Sequence, residues 1–277
     1  MSNEIHATLY SNITIDKDDL LPKIDKVKSP LIKPYAELFK ENIDTVSNLL
    51  ALPARLASHS FIYYAIIKSL ADSGPDVDVE KFATNYYNKY YNQEGRKKVI
   101  EITIPFLSKL LPYESELTKS IQALLYSAVL NTWSSFEKLA NNVWLSLITQ
   151  PQYKQTKKVS TYAFSSIGRI NQAYKDISLE TTIKVVTNNP DLLLLEKTRH
   201  LIAHQQGIMD QIYKDVLGII TTPTNTLSFT PIGEAVFINM ELERQFIETV
   251  LKAGYDLITS IDNWCLDKIF SIYSVIG

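Results

Sequence analysis

The sequence predicts an all-α protein, and three observations predict it. Glycine is scarce, with 8 residues in 277. Apolar side chains recur at spacings of three and four through most of the chain, the period of a helix that buries one face. Helix-start signals are explicit in "NNPDLLLLEK" (188–197). There Asn189 can cap, Pro190 suits the first helical position and Asp191 complements the N-terminal dipole.

Residues 1–30 are polar with scattered Ile and Leu and yield no assignable element. An N-terminal, mostly helical region is expected over 1–111, with helices broken near Pro53, at SGPD (73–76) and around Pro105. It carries "TNYYNKYYNQEGRKK" (84–98), with four tyrosines and then Arg96, Lys97 and Lys98. Such a stretch reads either as a surface that stacks bases and holds phosphates or as an amphipathic helix end with a solvated basic turn.

Long helices joined by modest loops predict a helical bundle over 112–277. Its first helix is marked by Ile121, Leu124, Leu125, Ala128, Phe136, Leu139, Ala140, Val143 and Leu147, one buried stripe that includes Glu137 within its pattern. A basic loop follows (Lys154, Lys157, Lys158), then weaker helices to Thr187 and the capped helix opening at Pro190. "LGIITTPTNTLSFTPIGEAVFI" (217–238) has β-branched runs around a Pro-Thr-Asn turn, so a short β-hairpin or extended insertion is expected near 216–238. Asn239 then caps a final helix, with Glu241 and Glu243 in its first turn and Leu242, Phe246, Val250, Leu257, Ile261 and Cys265 on its buried side.

The bulk numbers narrow the function classes. Net charge is −2, so a nucleic-acid surface has to be a local patch. Cys265 is the only cysteine, which excludes an internal disulfide and any multi-cysteine metal site and suits a reducing compartment. The first residues show neither the basic start nor the apolar stretch of a secretory leader, and no apolar run is long enough for a bilayer. A cytoplasmic protein without a membrane partner is the expectation.

Chemistry concentrates in "EKTRHLIAHQQGIMDQIY" (196–213). On a helical wheel Leu194, Leu195, Leu201, Ile202, Ile208 and Met209 share one side, and Glu196, Arg199, His200, Ala203, His204 and Gly207 share the other. One acid, one permanent cation and two imidazoles are separated by the two smallest side chains. Three readings compete. Glu196 can pair with Arg199 and His200 at i,i+3 and i,i+4 as ordinary helix surface, with His204 on the C-terminal dipole. Glu196, His200 and His204 can instead be read as zinc ligands, although Arg199 beside the cation is unfavourable. In the third reading the face transfers phosphoryl groups on RNA. Arg199 offers a fork suited to phosphate oxygens, His204 exchanges a proton near neutral pH, and the RNA 2′-hydroxyl is the nucleophile.

"RHLIAH" (199–204) resembles the signature of the HEPN superfamily: an arginine, a polar residue, three further residues and a histidine. The downstream "QQGIMDQIY", with Gly207, Asp210 and Tyr213, is similar to family members in which a Gly, an acid and a Tyr follow the histidine. "SAVLNTWSSFEKLANNVW" (127–144) resembles the earlier bundle helix of such proteins, where an aromatic–glutamate pair recurs. The resemblance covers about residues 115–265 and leaves 1–110 unmatched.

It implies a four-helix up-and-down bundle, a homodimer whose two motifs complete one composite site, and a metal-independent endoribonuclease in a toxin or antiphage-defence role. Arg199 would bind the scissile phosphate, His204 would transfer the proton, Glu196 and His200 would orient them, and Glu137, Asp210 and Tyr213 would support them. No cofactor and no metal are expected. RNA is the expected partner, with an antitoxin or defence-complex component as a further one. The alternative is a noncatalytic HEPN-type module that binds RNA or assembles a defence complex. On one ideal helix Arg199 and His204 lie about 140° apart, which is why two copies are expected to complete each other.

Overall fold

The computed structural model describes residues 20–50, 52, 72, 78, 80–82, 84–85, 115–150, 164–219, 227 and 230–276. The described chain is predominantly helical, so the all-α expectation holds. In chain order the helices are α1 (Leu21–Ile24), α2 (33–50), α3 (Ser115–Ile148), α4 (Ile167–Asp176), α5 (Glu180–Thr187), α6 (Pro190–Gln205), α7 (Gln211–Ile219) and α8 (Met240–Ile276).

The chain divides into two compact units. One comprises Met1–Thr14, Asn48–Leu125 and Asn239–Glu241; the other comprises Ile15–Ser47, Tyr126–Ile238 and Leu242–Gly277. The expected boundary at residue 111 differs from this division, because residues 15–47 fall with the C-terminal helices. Two contacts show why. Asp262 on α8 accepts hydrogen bonds from Lys28 N (3.2 Å) and Ser29 N (2.6 Å) just ahead of α2. Gly254 on α8 leaves a notch filled by the buried Phe39 ring of α2. Neither pairing has a short-range sequence signal.

In the first unit Asp78 accepts from Lys81 N (3.1 Å) as a helix start, and α3 contributes its opening turns. From Tyr86 onward the tyrosine-rich stretch, with Arg96, Lys97 and Lys98, lies outside the described residues, as do Pro53, SGPD, Pro105 and the basic loop at Lys154, Lys157 and Lys158.

The second unit is built on α3 and α8. Ala128, Val129, Trp133, Phe136, Leu139, Ala140, Val143 and Leu147 are buried along α3 as the period predicts. Phe246, Val250, Leu257 and Ile261 are buried along α8. Each large apolar side chain removed from water contributes about 1.5–3 kcal/mol, so these stripes dominate the stability of the unit. Polar contacts fix how α4 and α5 attach. Trp144 Nε1 donates to the Ala173 carbonyl (3.0 Å), and the buried Tyr174 hydroxyl donates to the Ala140 carbonyl (2.9 Å). Thr187 Oγ1 donates to Asn171 Oδ1 (2.7 Å), joining α5 to α4.

Residues 216–219, the first part of the expected hairpin zone, are helical as the end of α7. Residues 230–239 are extended or turned and form no strand; their ladder is one antiparallel bridge, Ile208 with Ala235. Residues 220–226 lie outside the described part. Among the described residues, the end of this zone at 230–239 pairs with the turn after α6.

Glu243 lies in the first turn of α8, as expected, but faces the core. It shares the face of Phe246, Ile247 and Val250 and is fully buried. Thr132 Oγ1 donates to its Oε1 (2.6 Å), and Oε2 has no partner. Burial pushes the carboxyl up to about 8. A carboxyl whose folded value exceeds its unfolded 4.5 holds its proton more firmly when folded. Its contribution is fully present below about 4.5 and is lost as pH rises through about 8. Urea midpoints of the wild type should fall across that window more steeply than those of Glu243→Gln, which keeps an oxygen for Thr132 without a titratable proton. Parallel curves for the two proteins would show that Glu243 is ionised in the fold.

Candidate functional site

The helix that carries the motif is fixed at both ends by its own sequence. Asn189 Oδ1 accepts from Asp191 N (2.9 Å) and Leu192 N (3.4 Å), with Pro190 at the first position, as expected. At the other end Gln206 (φ 55°) and Gly207 (φ 78°) are both left-handed. Their N–H groups return to the Leu201 carbonyl, which stops the helix. A Cβ at Gly207 would run into the Tyr126 ring, whose hydroxyl donates to the Val236 carbonyl (2.7 Å). Gly207 is thus buried under Tyr126 and is not an opening for a ligand. The small residue left at the surface is Ala203.

Leu192, Leu194, Leu195, Leu201 and Ile202 form the buried side of α6. His200, Ala203 and His204 are exposed, and Arg199, one turn from Leu195 and two from Leu192, is half-buried at the edge of that side. The two imidazole rings lie 4.6 Å apart, centre to centre, with planes inclined by 48°. Among the described residues Arg199, His200 and His204 make no hydrogen bond or ion pair. One permanent cation and two proton-carrying rings therefore share the solvent-facing end of a rigid, capped helix.

Glu196 is not part of that group. It is 6 % exposed, and its carboxylate is committed elsewhere. Oε2 accepts from Ile167 N (2.9 Å), the first residue of α4, and Oε1 accepts from Lys197 Nζ (2.8 Å). A carboxylate at a helix N-terminus satisfies an orphan N–H and complements the dipole. Ser166 adds its side chain as the N-cap of α4, accepting from Arg169 N (3.3 Å). The expected pairs Glu196–Arg199 and Glu196–His200 are not formed. The zinc reading loses its carboxylate by the same displacement, and among the described residues no three His, Cys, Asp or Glu gather to hold a metal ion.

Tyr213 and Asp210 serve the fold behind the site. The Tyr213 hydroxyl is buried and hydrogen-bonds Thr198 Oγ1 (2.7 Å) on the hidden side of α6, and burial pushes its pKa well above the usual tyrosine range. Asp210 Oδ1 accepts from Tyr213 N (2.7 Å) and so starts α7. Glu137 is half-buried on α3 and makes no hydrogen bond or ion pair among the described residues. The motif's flanks thus hold α6 in place rather than join Arg199 and His204.

No family model, curated protein or solved structure matches the chain. Function is therefore argued from the site itself. Among the described residues no helix is long and apolar enough to cross a membrane.

Thr198 and Tyr126 are positioning residues that the sequence did not single out. Thr198 reads as one more polar residue of the motif helix, yet it is buried and joins α6 to α7. Tyr126 covers Gly207 from 81 positions earlier in the chain (207 − 126), and no local pattern announces such a contact.

Proposed function

We propose that the chain is a HEPN-type endoribonuclease that cleaves RNA by attack of the 2′-hydroxyl on the adjacent phosphate, without metal, in a toxin or antiphage-defence role. The supporting observation is the arrangement of Arg199, His200 and His204 near the end of α6, none of them hydrogen-bonded or ion-paired among the described residues. A free guanidinium can take phosphate oxygens and stabilise developing negative charge. An exposed imidazole can accept the 2′-hydroxyl proton or return one to the leaving 5′-oxygen. Because RNA supplies the nucleophile, the protein needs only these two kinds of group. A homodimer that sets two α6 helices face to face would surround the phosphate from both sides, with the exposed Ala203 allowing the close approach.

The deciding experiment incubates the purified chain with labelled RNA in excess chelator. Cleavage should persist and leave a 2′,3′-cyclic phosphate or its opened product, and replacing the 2′-hydroxyl at the scissile nucleotide should abolish it. Cleavage that needs an added metal ion, or that proceeds without the 2′-hydroxyl, would refute the mechanism.

One observation favours a second reading. With Glu196 committed to α4, the face holds a cation and imidazoles but no carboxylate to orient them. Such a face can bind a phosphate backbone as a noncatalytic module of a defence assembly. RNA binding that is lost in Arg199→Ala, from a protein that never cuts, would select this reading.

A further inference from the structure

His200 and His204 stand one turn apart on α6, both exposed, with ring centres 4.6 Å apart. A cation held at metal–nitrogen distances of about 2.0–2.1 Å keeps two neighbouring imidazole ligands at a centre separation of roughly 4.5–5 Å. The helix therefore already holds the rings at the spacing of two ligands on one ion, and side-chain rotation alone brings a nitrogen of each together. Neither ring has a hydrogen bond among the described residues that binding would have to break.

We propose that His200 and His204 chelate a divalent transition-metal ion of the zinc or copper class, and that this ion shuts the Arg199–His204 face to RNA. The second half rests on the ribonuclease reading; the first does not. Imidazole is a borderline ligand that selects copper, nickel and zinc over magnesium and calcium. Glu196 is held by Ile167 N and Lys197, so the ion's other positions go to water and binding is reversible. On an ideal helix Arg199 is rotated about 100° from His200 and about 140° from His204, which turns its charge away from the bound ion. A metal on His204 occupies the lone pair that would accept the 2′-hydroxyl proton. The ion is thus an inhibitor of this site and not its cofactor.

The full chain, stripped with chelator, is titrated with zinc chloride, copper sulfate and magnesium chloride by calorimetry. Copper should bind more tightly than zinc, and magnesium should not bind at this pair. His200→Gln and His204→Gln should each lower zinc affinity at least about tenfold, the loss that removing even an outer-shell partner can cause. His6→Gln and His59→Gln should leave that site intact. Zinc affinity unchanged in both α6 variants, or no saturable zinc binding, overturns the site. Zinc should also stop RNA cleavage by the wild type, and chelator should restore it; undiminished cleavage at saturating zinc overturns the shut-off. A chain that binds zinc through the pair but never cuts RNA retains the metal site and loses the ribonuclease reading. A chain that cuts RNA while its zinc binding ignores both histidines does the reverse.

Discussion

Arg199→Ala and His204→Ala should each slow RNA cleavage by at least about 100-fold while leaving the protein folded. The first variant removes the charge that stabilises the phosphate as it gains negative character. The second removes the proton carrier. His204 is exposed and Arg199 is half-buried at the edge of the leucine side of α6, and neither makes a hydrogen bond or ion pair among the described residues. Truncation therefore opens no core cavity and orphans no described polar group. Circular dichroism and urea midpoints should stay close to wild type. The double variant should be little worse than either single one, because groups that act on one transition state are not additive. Glu196→Ala should behave in the opposite way, lowering stability through the freed Ile167 N–H more than it lowers the rate. Wild-type cleavage by both Arg199→Ala and His204→Ala would make this helix face ordinary surface.

Gly254→Ala should destabilise the protein, against the usual direction for a helix. In an exposed helix interior that exchange gains about 1 kcal/mol. Here the added Cβ would run into the ring of Phe39, a core side chain that is 1 % exposed. Overpacking of this kind costs about 1–3 kcal/mol, which outweighs the propensity gain. Phe39→Leu alone should destabilise by leaving space beside the glycine, but placed in Gly254→Ala it should restore stability, so the two changes are strongly non-additive. Denaturant midpoints of the four proteins measure the coupling. A Gly254→Ala protein as stable as wild type would show that α2 does not seat in the α8 notch.

The buried stripes of α3 and α8 and the capped start of α6 were legible because each depends on residues within one or two turns. Periodicity places Trp133, Phe136, Val143, Phe246 and Leu257 inside whatever the neighbouring elements are. Residues 230–239, at the end of the zone expected as a hairpin or extended insertion, take their partner from outside it: Met209 N donates to the Glu234 carbonyl and Val236 N to that of Gly207, both at 2.8 Å.

The candidate site was legible in part for the same reason. His200 and His204 are exposed, and Arg199 half-buried, by helix geometry alone once Leu194, Leu195 and Leu201 face the core. Glu196 lies in the middle of the polar side of the wheel, where α6 alone would leave it in water. An unpaired N–H at Ile167, 29 residues away, drew it inward. Glu243 likewise reads as a helix-start acid, and its burial depends on Thr132, 111 residues away. Tyr213 reads as a companion of the histidine until Thr198 takes its hydroxyl.

The sequence by itself determined that the described chain is helical, where α6 begins, and which apolar stripes turn inward, since dihedral preference, capping and apolar period act over a few residues. Only the tertiary structure decided which polar side chains remain free for chemistry. A hydrogen bond or a dry wall that captures a side chain can come from any distance along the chain, and burial makes that capture costly to undo.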